Sequence, residues 1–432
     1  MSKKTIGLAL SGGGYRAAGF HLGTLRALNK LGVLPNIDRF STISGGSITG
    51  ACYGINDKSY ADFEADMVDK LSSKSVIKYV LTSRNFIWLA ICLLIIVGFA
   101  IYLSFTNWAP VSIPIIILVL FLLIRFQFRL LPISRMIEKA YDVFFYDNKT
   151  LSDLRAIPEI AIGSTNLKSG RHFTFSQRKM GDSKLAYSVP PVKFVHENFP
   201  IARAVIASSC VPFAFTPITI DTEFYEDADL ALSNPVELVD GGVYDNQGIH
   251  KLTEKSSSYR TDIVLVSDAG DKLPDYPMHT NTIALLIRTV DIFMQRIKFV
   301  QMINNIYQNQ KGGEIAYISL GWDLSGCVTG FWNNLKEGNI SDALCNAHNL
   351  EREWLDDVIT FKQQIIDKLN ANCLYNGIAS AALSQERLKA VRNISTNLTP
   401  INKNLLNDMI DHAAALTELQ VRLYSPSIIV GH

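Results

Sequence analysis

The sequence predicts an α/β protein: a sheet covered by helices on both faces, interrupted by an apolar helical hairpin and followed by a helical C-terminal part. Three observations predict it. Short apolar runs, several ending in glycine-rich turns, alternate with helical patterns. No Asp, Glu, Lys or Arg occurs from Asn85 to Ile124, a run roughly twice the ~20 residues one helix needs to cross a bilayer. From Lys336 onward the composition turns helical and polar.

The candidate strands are Ile6–Leu10, Phe40–Ser44, Glu159–Gly163, His172–Ser176, Glu237–Asp240, Ile263–Ser267 and Ile315–Leu320. Helical patterns lie between them at Ala17–Leu31, Ser47–Leu71, Phe199–Ala207 and Thr282–Gln308, and later at Glu351–Leu369 and Leu405–Leu416. Lys3-Lys4 precedes the first apolar run, but that run is too short for a signal-peptide core and enters Ser11-Gly12-Gly13-Gly14 at once, so it reads as a strand. This order of strand, turn and helix places chemistry at the C-terminal ends of the strands.

The apolar stretch divides at Thr106-Asn107-Trp108-Ala109-Pro110, where turn formers and an interfacial Trp interrupt the aliphatic residues. Its first arm, Phe86 to Phe105, spans about 30 Å as a helix. The second is strictly apolar only from Val111 to Ile124, carries Pro114 in its first turn, and crosses fully if Arg125 or Arg129 snorkels. A re-entrant hairpin and a buried core helix pair are the alternatives. Lys70, Lys74, Lys78 and Arg84 precede the arms, Arg125, Arg129, Arg135 and Lys139 follow, and the tip is uncharged; the positive-inside rule puts both ends in the cytoplasm. The expectation is an integral membrane protein with its bulk on the cytoplasmic face.

Across 432 residues, Lys+Arg 41 against Asp+Glu 40 leaves a net charge of +1, which gives no electrostatic case for nucleic-acid binding. Cys52, Cys92, Cys210, Cys327, Cys345 and Cys373 lie far apart, without metal-ligand or disulfide-framework spacing. No metal and no cofactor is implied.

Three motifs place reactive or charge-stabilising groups just after a strand. Ser11-Gly12-Gly13-Gly14-Tyr15-Arg16 offers converging backbone N–H groups at a helix start. As a dinucleotide or phosphate loop it fails, for Ala17 stands where a glycine is required and no Gly-Lys-[Ser/Thr] follows, which disfavours a nucleotide-binding protein. Ser44-Gly45-Gly46-Ser47-Ile48-Thr49-Gly50 puts Ser47 on a strand-to-helix elbow, although Thr49 occupies the last position of G-x-S-x-G; a turn serine is the structural alternative. Val239-Asp240-Gly241-Gly242 delivers a carboxylate into a turn, where it could serve as a general base or simply as a turn former.

Taken together and in this order, the motifs resemble those of the patatin-like phospholipase family, bacterial type, with an inserted transmembrane hairpin. Ala207-Ser208-Ser209-Cys210-Val211-Pro212 is similar to that family's Ala-Ser-x-x-x-Pro stretch. The likeness covers about residues 5 to 320 outside the hairpin, and Ala390 to Pro426 resembles the helical end of bacterial members. The resemblance implies a three-layer α/β/α core from residues 1–84 and 132–335, a hairpin at 85–131, and a helical part at 336–432 packed on the core. It implies a lipid acyl hydrolase of the phospholipase A or lysophospholipase type, acting on membrane phospholipid or another acyl-ester lipid. Ser47 would be the nucleophile, Asp240 the base, Gly12, Gly13 and Gly14 the oxyanion loop, and Arg16 a support. Asp268 and His21 are competing candidates for the base, His21 reading better as a packed helix residue. The alternative function is a catalytically silent patatin-like protein that binds lipid or a partner.

Overall fold

Strands β1 (Ile6–Leu10), β2 (Arg39–Ile43), β3 (Glu159–Asn166), β4 (Arg171–Phe175), β5 (Met180–Gly181), β6 (Ile218–Thr219), β7 (Glu237–Asp240), β8 (Ile263–Asp268) and β9 (Glu314–Ser319) form one mixed sheet. The computed structural model describes residues 3–270, 281–302, 314–380 and 382–429. The sheet order is β5-β4-β3-β2-β1-β8-β9, parallel from β3 to β9, while β4, β5, β6 and β7 add antiparallel pairings at and beyond β3. The parallel strands are near-continuous apolar runs because both their faces are covered. Leu8, Leu10, Leu265, Ala316 and Ile318 join the main core, and the alternate residues Ala9, Val264, Val266, Ile315 and Tyr317 pack on Ile249 and Leu252. Chain order reverses at β1, with β2 and β8 on either side, so the crevice above the strand C-termini opens there.

The helices used below are α1 (Gly14–Lys30), α2 (Gly45–Gly54), α3 (Tyr60–Ser73), α4 (Val76–Leu81), α5 (Arg84–Ser104), α6 (Ala109–Leu130), α7 (Ile133–Tyr141), α8 (Ile201–Ser209), α9 (Thr282–Gln301) and α10 (Lys403–Tyr424). The single pattern expected over Ser47–Leu71 is two helices, because the chain breaks after Gly54 and restarts at Ser59, whose side chain caps α3 by accepting from the Asp62 N–H. Likewise Glu351–Leu369 divides into Arg352–Asp356 and Lys362–Asn372. The pattern at Thr282–Gln308 is helical to Gln301, and its last residues lie outside the described ones.

Both arms of the apolar stretch form helices longer than their strictly apolar parts. Ser83 caps α5, and Pro110 sits in the first turn of α6, where its missing N–H costs nothing. Phe126 leaves helical geometry at the point where the apolar run ends and Arg125 begins the charged flank. Only Ala100 and Ser112, both small, are buried in the two helices, and both helices are long and apolar enough to cross a membrane.

The C-terminal part is tied into the core. Helix α10 lies so close on α1 that a Cβ at Gly23 would sit 2.2 Å from the Ile410 carbonyl oxygen. Beneath that crossing, Thr417 Oγ1 lies 3.3 Å from Thr24 Oγ1, which is 2.7 Å from Ser267 Oγ at the end of β8.

Candidate active site

The register of β3 decides which residues meet. Along one edge β2 pairs with its first half, ending at Ile43 opposite Gly163; β7 pairs antiparallel with its second half, ending at Asp240 opposite Ser164. Strands β2 and β7 therefore run head-on, and Ser44, just past the end of β2, converges with Asp240, the last residue of β7.

Ser44 adopts φ 50° and ψ −119°, a conformation a non-glycine residue holds only when its surroundings impose it. Its N–H donates to Ser208 Oγ at 2.8 Å, and its carbonyl accepts from the Ser47 N–H at 2.9 Å. The turn passes so close to the glycine loop that a Cβ at Gly45 would lie 2.1 Å from the Gly14 carbonyl oxygen. The strained elbow places Ser44 on the cavity lining beside Asp240, close enough that its hydroxyl favours the charged carboxylate.

Asp240 is held as firmly. Its N–H donates to the Cys210 carbonyl at 3.0 Å, its carbonyl accepts from Thr165 Oγ1 at 2.9 Å, and its Oδ1 accepts from the Gly242 N–H at 2.7 Å. Burial pushes the carboxyl up to about 6, against the opposing pull of the Gly242 hydrogen bond and the neighbouring Ser44 hydroxyl. A carboxylate with such a value is ionised at neutral pH yet basic enough to accept a proton.

Ser47 is not at this meeting point, and the expectation of a nucleophile there is corrected. It lies on the buried side of α2, fully enclosed, with Oγ 2.9 Å from Ser208 Oγ and 3.1 Å from Thr42 Oγ1. Ser208 Oγ in turn donates to the Gly163 carbonyl at 2.5 Å, so Ser47 and Ser208 form a buried polar brace behind the elbow. Thr49, whose hydroxyl donates to the Ala18 carbonyl at 2.9 Å, ties α2 to α1. Read from Ser44, the glycine two positions on is present as Gly46, and the departure from G-x-S-x-G moves to Thr42.

The glycine loop supplies N–H groups, but not all three expected. The Gly12 N–H is engaged by the Asn246 carbonyl at 2.9 Å, which corrects its place among the oxyanion donors. Gly13 (φ 142°) and Gly14 (φ 56°) take left-handed conformations that turn the chain from β1 into the first turn of α1. Their N–H groups stand at the N-terminus of a 17-residue helix, where the macrodipole adds to the attraction for negative charge.

A strap from the C-terminal part crosses this loop. The Tyr15 N–H donates to the Asn397 carbonyl at 3.0 Å, the Val76 N–H to the Leu398 carbonyl at 3.1 Å, and Arg16 Nη1 to the Ile394 carbonyl at 3.2 Å. Arg16 thus holds the strap against the loop. His21 is buried, with Nε2 2.9 Å from the Ser11 carbonyl oxygen and Nδ1 2.8 Å from Ser267 Oγ; burial pulls it down to about 4, so it is neutral and structural. Asp268 is committed elsewhere: Lys298 Nζ lies 2.5 Å from its Oδ2, the Gly270 N–H 2.8 Å from Oδ1, and the Tyr317 hydroxyl also donates to it. Burial alone would raise its carboxyl, but the Lys298 charge and these bonds hold it below the usual carboxylate range, which unfits it as a base.

Above the convergence lies a cavity of about 440 Å³. Gly12, Gly13, Gly14, Ser44, Asp240 and Gly270 form its floor, and Val211, Phe213, Phe215, Val243, Ile287, Val290, Met294 and Leu398 give it largely apolar walls. Sequence reasoning missed Ser44, the brace role of Ser208, the strap Thr396–Leu398 and the wall contributed by α9. For Ser44 a signal was present, a serine directly at a strand end followed by two glycines. For the strap and the wall there was none, since both are long-range contacts.

Fold and cleft together define an α/β protein with a serine elbow and a buried carboxylate on the floor of an apolar cavity. The family model described as patatin-like phospholipase matches residues 8–253, over half of the 432, and the chain belongs to that family. Among solved structures the chain is similar to VipD from Legionella pneumophila (14% identity, 100% of this chain and 92% of that one, TM-score 0.32). It is also similar to the human GIVD cytosolic phospholipase A2 (13% identity, 99% of this chain, TM-score 0.45), of which it spans 62%. No curated protein matches the sequence.

Proposed function

We propose that the protein is a membrane-anchored lipid acyl hydrolase, of the phospholipase A or lysophospholipase type, with Ser44 as nucleophile and Asp240 as general base. The observation that carries this reading is the Ser44 elbow, strained and set beside a buried carboxylate on the floor of an apolar cavity. Asp240 accepts the Ser44 proton as Oγ attacks the ester carbonyl; the new C–O bond gives a tetrahedral oxyanion stabilised by the N–H groups of Gly13 and Gly14. The alcohol leaves with the proton from Asp240, and a water activated by the same carboxylate releases the fatty acid. Helices α5 and α6 would be the anchor, with the catalytic core of residues 1–84 and 132–335 on the cytoplasmic face and residues 336–432 packed on it. The silent-protein alternative rests on a departure from G-x-S-x-G that lies at Thr42 once the elbow serine is Ser44, and the absence of fatty acid release by a folded chain would favour it.

The test is release of free fatty acid from mixed phospholipid vesicles by the purified chain, with the products identifying the bond cleaved. The protein should stay with the bilayer through alkaline extraction. For a water-soluble ester, kcat/KM should rise with pH to a plateau, governed by the Asp240 carboxyl at about 6. Below that value the base is protonated and the rate falls about tenfold per pH unit. A flat profile between pH 5 and pH 8, about one unit or more either side of that value, would remove Asp240 from the role.

A further inference from the structure

Building on the lipid-hydrolase reading, we propose that α9 is a second membrane-docking element, lying with its outer face in the headgroup region of the bilayer and holding the cavity mouth against it.

Helix α9 has no buried residue over its 20 positions, though it is rich in large apolar side chains. Ile283, Leu286, Phe293 and Val300 recur at three and seven residues and form one stripe, each between 42% and 68% exposed. Ile292 and Phe299 widen it. The inner face is also apolar: Ile287, Val290 and Met294 wall the cavity, and Lys298 anchors the helix to Asp268. A helix apolar on both faces, with one of them open to water, marks an interaction surface.

Its place in the fold selects a bilayer as the occupant. Ile77 of α4 lines the same cavity, and α4 leads through the Ser83 cap directly into α5. The mouth therefore lies between α9 and the base of the apolar hairpin, with exposed Val211 and Phe213 at its rim. Arg84, Arg125 and Arg129 mark the level at which a bilayer around the hairpin passes from hydrocarbon to headgroups, and exposed Arg296 on the outer side of α9 suits anionic headgroups. An acyl chain leaving such a leaflet between α4 and α9 enters the cavity without crossing water.

The test uses the full chain with Cys92→Ser, which leaves five cysteines, all buried. An environment-sensitive fluorophore is placed on Phe293→Cys or, as a control at the opposite end of the sheet, on Lys255→Cys. The proteins are reconstituted into phosphatidylcholine/phosphatidylglycerol vesicles carrying a shallow acyl-chain quencher. Quenching at position 293 and none at 255 is expected. No quenching at 293, or contact between labels of two copies there, overturns the proposal in favour of an exposed or self-associating face. In parallel, Ile283→Asp with Phe293→Asp should lower vesicle hydrolysis about tenfold or more while sparing a water-soluble ester; equal loss on both substrates also overturns it. The fluorescence does not need activity, so an inactive wild type would sink the functional reading alone.

Discussion

Replacing Ser44 by alanine should lower fatty acid release by at least about 10³-fold, whereas Ser47→Ala should keep activity within a few-fold of wild type. The two hydroxyls are three residues apart on one elbow, and the sequence reading favoured Ser47, but they face different surroundings. Ser44 lines the cavity beside Asp240; Ser47 bonds Ser208 and Thr42 in the interior. Removing the Ser47 hydroxyl leaves Ser208 with its bonds to Ser44 and Gly163, at a stability cost of about 1 kcal/mol. Asp240→Asn should resemble Ser44→Ala, and the double variant should be little worse than either, because the two groups act in one step. Folded Ser44→Ala that still turns over, beside inactive Ser47→Ala, would reverse the assignment.

Lys298→Met should destabilise the fold by about 3–5 kcal/mol, more than Asp268→Asn does. The ion pair is asymmetric: Asp268 is 1% exposed at the end of β8, while Lys298 comes from a helix otherwise open to solvent. Without Lys298 the carboxylate keeps the Gly270 and Tyr317 donors but loses the charge that offset its burial. Without Asp268 the ammonium can swing to water. The pH dependence follows from the direction of the shift. In the wild type the Asp268 carboxyl sits below its unfolded value of about 3.9, so its contribution is present above that pH and lost as pH falls through the folded value. In Lys298→Met the carboxyl moves above that value, so its penalty shrinks on acidification. Denaturant titrations at neutral pH and near pH 4 should show the gap narrowing; a gap independent of pH would mean that packing by the Lys298 side chain, not its charge, holds α9.

The strands were legible because parallel strands covered on both faces need unbroken apolar runs, and Ile6–Leu10 and Glu237–Asp240 match to the residue. The hairpin was legible because a long uncharged stretch has few folded alternatives. Helix breaks were less so: the restart at Ser59 depends on one side chain capping one turn, a small term beside the apolar periodicity that runs across it. The turn at Asp240 was legible because a strand ending in Asp-Gly-Gly is a local pattern, while its role as base came only from the family resemblance. The choice between Ser44 and Ser47 was not legible, since both lie on the same elbow and only backbone geometry separates them.

By itself, then, the sequence determined the layered α/β fold, the family, and the three turns from which the site is built, because each is written in local periodicity and in glycines at strand ends. The tertiary structure alone decided that β2 and β7 meet head-on along β3, that Ser44 rather than Ser47 faces Asp240, that the Gly12 N–H is already engaged, and that α9 and a C-terminal strap complete the cavity. Those are contacts between segments tens to hundreds of residues apart, set by strand register and burial, which no local pattern encodes.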